Sequence, residues 1–148
     1  SEPAEPKLPP FEQAMKELDA LKEKKLWQQG LNKEYYTALT ETLRRYIVDR
    51  FGVNAMEMTS GEILDILRGV KDAAPVYDKL QQILGLADFV KFAKLHPLPD
   101  ENDRSMTNAY LFVTETKPEE VIPEKETSEA TEGEEEKQSE TNDSKIKE

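Results

Sequence analysis

In residues 33–52, KEYYTALTETLRRYIVDRFG, the apolar side chains of Tyr36, Leu39, Leu43, Tyr46, Ile47 and Phe51 recur mostly at steps of three and four. That is the period of a helix with one buried stripe, and no alternate-residue pattern of a half-buried strand competes with it. Asn32 stands where a side-chain oxygen would cap the first turn, and Gly52 follows the last periodic residue as a C-terminal glycine does. Glu41 precedes Arg45 by four residues, the favourable order for an ion pair along one helix.

The same period continues on both sides. Upstream, Phe11, Ala14, Met15, Leu18, Leu21 and Leu26 predict a helix over about residues 11–27, opened by Pro9 and Pro10 and closed by Gly30. Downstream, Thr59 and Glu62 form a T-x-x-E capping box. It starts a short helix at about 60–69, in which Ile63, Leu64, Ile66 and Leu67 are dense enough to suggest burial on more than one side. A fourth helix is expected over about 75–94, with Pro75 in its first turn, Asp72 as a nearby cap, and Val76, Tyr77, Leu80, Ile83, Leu84, Ala87 and Val90 facing inward. Gly85 interrupts it, which a close helix approach or a kink would explain. After HPLPD at 96–100, Asp100 is a cap candidate for a fifth helix over about 101–115, with Met106, Ala109, Tyr110 and Val113 as its stripe.

These readings give an all-α fold: a compact bundle of about five helices with a disordered acidic C-terminal tail. The expected organisation is a Pro-rich linker at 1–10, a helical domain at 11–116 and the tail at 117–148. From Lys117 onward there are twelve acidic and five basic residues, a net charge of −7, and almost no apolar side chain. Such a segment does not bury enough surface to offset its ordering entropy. The whole chain of 148 residues carries −11, so the remainder is only about −4. That sign disfavours phosphate backbones and anionic headgroups as partners.

The residues that support chemistry are sparse. There is no cysteine, so thiol catalysis, disulfides and zinc–cysteine sites are excluded for this stretch of chain. The single histidine, His96, lies in a loop, which is a poor start for an acid–base site. Asp100–Asp103 resembles the start of a calcium loop, but positions six and twelve hold Ser105 and Leu111 in place of glycine and glutamate. The glycines are scattered, with no phosphate-binding fingerprint. We therefore expect a non-enzymatic module without cofactor or metal. A nucleic-acid-binding regulator is the alternative, since the second and third helices form a helix-turn-helix-like pair with Arg44, Arg45 and Arg50 nearby. Its would-be recognition helix, however, presents Ser60, Gly61, Glu62 and Asp65.

The most suggestive segment is ADFVKFAKLHP at 87–97. Phe89 and Phe92 flank the inward Val90, with Lys91 and Lys94 outside. Both rings fill the core on one reading; on the other, an exposed ring and the lysines form a partner-binding patch. Phe89, Lys91, Lys94 and His96 are the candidate partner-binding residues, beside a loop stiffened by Pro97 and Pro99.

Two long runs, LWQQGLNKEYYTALTETLRRYIVDRFGVNAMEMTSGEIL and LADFVKFAKLHPLPDENDRSMTNAYLFVTETKP, carry a resemblance. Over residues 11–118 the chain resembles the soluble C-terminal domain of a membrane protein from Bacteroidetes aerotolerance (Bat) operons. The resemblance implies a membrane helix ahead of this domain, with residues 1–10 as its spacer. It places the domain on the cytoplasmic side of the inner membrane. It also implies protein partners encoded in the same operon: a MoxR-type AAA+ ATPase and von Willebrand factor A proteins. The implied role is that of an adaptor or assembly element in a membrane complex, and the resemblance brings no catalytic residue with it.

Overall fold

The computed structural model describes residues 8–119, and every regular element among them is helical. Five α-helices follow in order: α1 (Pro10–Lys24), α2 (Asn32–Phe51), α3 (Ser60–Leu67), α4 (Tyr77–Ala93) and α5 (Pro99–Thr116). Short 3-10 turns at Trp27–Gln29, Ala55–Glu57 and Lys71–Val76 join them. Most of the expected tail, from residue 120 on, and most of the expected N-terminal linker lie outside the described residues. No helix among the described residues is long and apolar enough to cross a membrane.

Helix α2 is the centre of the bundle, packed against α1, α4 and α5. Its tyrosines set the direction of α5. Tyr35 and Tyr36 bond to Asn102 and Ser105 at one end, and Tyr46 bonds to Thr116 at the other, so the two helices run parallel. Helices α1 and α4 run the opposite way. Asp19 meets Tyr110 across α1 and α5, and Gln82 meets Asn108 across α4 and α5. The expected core residues Leu18, Leu39, Leu43, Ile47, Ile63, Leu67, Leu80, Leu84 and Val113 are all fully buried. Phe112, absent from the expected stripe of α5, is buried as well and packs edge-on to Tyr46.

Several boundaries differ from expectation for local reasons. Helix α1 stops at Lys24, short of Trp27, because Lys25 takes the left-handed conformation at φ 49°. Gln29 Nε2 then donates to the freed carbonyls of Lys24 and Lys25. Asn32 does not cap α2. It is the first helical residue, and its side-chain oxygen accepts instead from Asn102 Nδ2. Pro75 and Asp72 belong to the 3-10 turn before α4, where Asp72 pairs with Arg50 rather than capping a helix. Helix α5 begins at Pro99, and the Glu101 carboxylate accepts the Leu98 N–H at 2.8 Å, so Asp100 is not its cap. The acidic run 100–103 is thus the first turn of a helix. Helix α3 is buried on one side only: Ser60, Ile63 and Leu67 face in, while Ile66 is exposed.

Gly85 needs neither of its expected explanations. Helix α4 runs through it without a break, and a Cβ built there meets nothing within 4 Å. Its intrinsic cost of about 1 kcal/mol relative to Ala is therefore not recovered by contacts among the described residues.

The capping box at the start of α3 is formed as expected. Glu62 N–H donates to Thr59 Oγ1 at 3.2 Å, and Thr59 N–H donates to the Glu62 carboxylate at 3.1 Å. The second bond holds the Glu62 carboxyl below its ordinary range. Thr59→Ala is expected to cost about 0.5–2 kcal/mol in denaturant unfolding, with the slope unchanged; an unaltered midpoint would show that the box contributes nothing.

Burial raises the hydroxyls of Tyr35, Tyr36, Tyr46 and Tyr110 above their ordinary range, that of Tyr36 to about 12. The unfolded chain releases these protons near pH ~10. Above that pH the unfolded state binds fewer protons than the folded one, so stability falls as pH rises. Below it the four hydroxyls add no pH dependence. Tyrosinate absorbance is therefore expected to appear together with loss of helical circular dichroism between pH ~10 and ~12. Tyrosinate formed by these side chains while the helical signal stays intact would contradict the burial.

Candidate interaction surface at the end of helix α4

The inward face of α4, made by Leu80, Ile83, Leu84, Ala87 and Val90, is fully committed to the core. Helical geometry then sends Asp78, Gln81, Gly85, Phe89 and Phe92 to the opposite side, while Gln82 reaches Asn108 of α5. Both phenylalanines are in the open, Phe89 at 60% and Phe92 at 80% exposure. The reading of these rings as core residues is overturned, because the inward arc of α4 is filled without them. The chain beyond adds Leu95 and Leu98, which are also exposed, whereas Pro97 is buried and anchors the loop. Four large apolar side chains thus stand in water within ten residues of chain.

The loop that carries this patch is held at both ends. Lys94 closes α4 in the left-handed conformation at φ 56°, and the N–H groups of Lys94 and Leu95 both reach the Phe89 carbonyl. At the other end Glu101 holds the Leu98 N–H, as described above. Such pinning lowers the ordering cost of binding.

The charged candidates separate. Lys94 and His96 are exposed beside the apolar residues, as expected. Lys91 is not on the outer face. It is half-buried between α4 and α2, where Nζ donates to Thr40 Oγ1 at 3.2 Å and lies 5.8 Å from the centre of the Phe92 ring. Desolvation, and next the nearby Arg44 guanidinium, lower its pKa from the ordinary lysine range. The structure therefore brings together Phe89, Phe92, Lys94 and His96 as a solvent-facing group, with Lys91 as a support beneath Phe92. Leu95 and Leu98 were missed by the sequence reading. Their signal was their position between two helices, where the inward stripe ends.

The arginines of the helix-turn-helix-like pair are engaged inside the domain. Arg44 Nη1 donates to the carbonyls of Ala55 and Met58, which pins the connection between α2 and α3. Arg45 pairs with Glu17 and Glu41, and Arg50 with Asp72 and the Thr116 carbonyl. A larger concavity of about 360 Å³ lies between α1 and α2, lined by Leu8, Ala14, Val48 and Met56. Its rim holds the closed Arg45–Glu17 pair. Among the described residues no three His, Cys, Asp or Glu side chains converge as metal ligands do.

No family model, curated protein or solved structure matches the chain. The functional reading therefore rests on the surface itself and on the resemblance drawn from the sequence.

Lys91 gives a test of this geometry. Its lowered pKa means that folding disfavours the ammonium, so stability is least where both states are charged and rises as pH climbs through the folded pKa toward the unfolded one. Lys91→Met keeps the apolar stem over Phe92 and removes the charge. Thr40 keeps its bond to the Tyr36 carbonyl. The variant is expected to melt at or above the native temperature at pH 7; a fall of several degrees would assign Lys91 a net stabilising role.

Proposed function

We propose that this domain is a non-enzymatic protein-interaction module that docks partners through the end of α4 and the loop into α5. The observation that carries this reading is the pair of exposed phenylalanines one turn apart, followed by exposed Leu95 and Leu98 on a pinned loop. An aromatic ring in the open offers roughly 150–250 Å² for burial, the kind of anchor around which interfaces concentrate their energy. Lys94 and His96 supply a basic rim on a domain that is otherwise mildly acidic, which favours partners with an acidic collar around an apolar recess.

In keeping with the resemblance to Bat-operon membrane proteins, we assign the module an adaptor role on the cytoplasmic side of a membrane complex. Its partners are then the operon-encoded MoxR-type ATPase and von Willebrand factor A proteins. The alternative of a nucleic-acid regulator has less support, since Arg44, Arg45 and Arg50 are engaged within the domain.

The test is calorimetric titration of the chain with each purified operon protein. Phe92→Ser and Lys94→Glu are the appropriate variants, because both side chains are exposed and neither has a role in the core. Each is expected to weaken binding about tenfold or more, with an unchanged melting temperature. Binding that ignores both substitutions would remove the proposed face. Saturable binding to mixed-sequence duplex DNA that weakens steeply with salt would favour the regulator instead.

A further inference from the structure

Gly85 stands at the middle of the outward face of α4, one turn before Phe89 and two before Phe92. Among the described residues nothing occupies the space its side chain would take. A glycine inside a helix weakens it, and here neither a kink nor an internal contact accounts for it. The remaining use of a missing Cβ is to let something from outside approach the helix backbone closely.

The face is complementary to itself. Gly85, where the outer face lacks a side chain, and the exposed Phe89 ring lie four residues apart on one line, so a two-fold axis between them puts each ring over the other copy's bare backbone. A two-fold interface requires this reciprocity, in which one residue meets a second and the second meets the first. The same axis runs the two helices antiparallel, which opposes their dipoles favourably. It also brings the exposed Asp78, two turns before Gly85, alongside the end of the partner helix, where Lys94 and His96 are exposed. Acid at one end of the face and base at the other match only in this antiparallel sense.

We propose that the outward face of α4 pairs two copies of this chain into an antiparallel dimer, with Phe89 of each seated on Gly85 of the other. The proposal rests on the reading of this end of α4 as a protein-binding face and names a second copy as the occupant of that face from Asp78 through Phe89 and Phe92 to Lys94. Two exposed rings per copy, with Gln81 and the charged ends around them, make an interface of roughly 1,000 Å², the lower limit for a specific contact. The dimer is therefore weak and concentration-dependent, and Leu95 and Leu98 at its edge stay accessible to other proteins.

Sedimentation equilibrium of the full chain from about 1 µM to about 1 mM tests it. A monomer–dimer equilibrium within that range is expected, and a monomer throughout overturns the proposal. Gly85→Ala separates the proposed interface from a stability effect. At low concentration it is expected to raise the melting temperature by roughly 4–8 °C. It is also expected to weaken dimerisation about tenfold, because the added methyl takes the space of the partner's ring; dimerisation unaffected by Gly85→Ala overturns the seating of Phe89. Asp78→Lys and Lys94→Asp are each expected to weaken the dimer, and the two together in one chain to restore it. Failure of that charge swap to restore it overturns the antiparallel arrangement. The two readings fail separately. A chain that stays monomeric yet binds an operon protein through Phe92 and Lys94 loses the dimer and keeps the interaction module, while a dimer that binds neither operon protein does the reverse.

Discussion

The Tyr36 hydroxyl lies in the interior of the bundle, where it donates to Asn102 Oδ1 at 2.8 Å and shares a bond with Ser105 Oγ at 3.1 Å. Tyr35 reaches the Asn102 carbonyl beside it, and Asn102 Nδ2 donates to Asn32. A buried hydroxyl without a partner costs on the order of 1–3 kcal/mol. A central helix with three buried tyrosines must therefore have a neighbour that offers acceptors at the right heights. Helix α5 does so at both ends, through Asn102 and Ser105 and then through Val113 and Thr116. Among the described residues no buried side-chain polar atom is left without a partner. Sliding α5 by one turn would break these bonds together, which is how polar contacts specify a register that apolar packing alone leaves loose.

Once α2 and α5 are aligned, the place of α4 follows. It packs on both, and its apolar arc is filled by Leu80, Ile83, Leu84, Ala87 and Val90. Among the described residues no further layer covers its outer side, so what the sequence places there meets solvent. Polar residues do so at Asp78 and Gln81, as on any surface helix. The change to Phe89 and Phe92 over the last turns is the departure, and it coincides with a loop held by hydrogen bonds at both ends. That combination suits recognition better than it suits solubility.

Lys91 shows how the two requirements meet. Its ammonium lies 5.8 Å from the centre of the Phe92 ring and bonds to Thr40, at the seam between α2 and α4. The residue that looked like part of a charged patch supports an exposed ring instead. The surface is consequently more apolar and less basic than its sequence implies, with Lys94 and His96 as its outward positive or titratable groups.

The periodic stripes of α1, α2, α4 and α5, the capping box at Thr59 and Glu62, and the glycine stop at Gly52 were all determined by sequence alone. Each depends on side chains a few residues apart, so the chain carries the information locally. The partners of Tyr36, Asn32, Thr40 and Arg44 were not legible, because every one of them except Tyr36 for Thr40 comes from a distant part of the chain or from another helix. Periodicity likewise left Phe89 and Phe92 open to either fate, since rings flanking an inward valine fit a wide apolar arc as well as a narrow one. Tertiary structure decided it: α2, α3 and α5 surround α4 on its inner side only, and that arc is narrow enough for Val90 to enter while both phenylalanines remain outside.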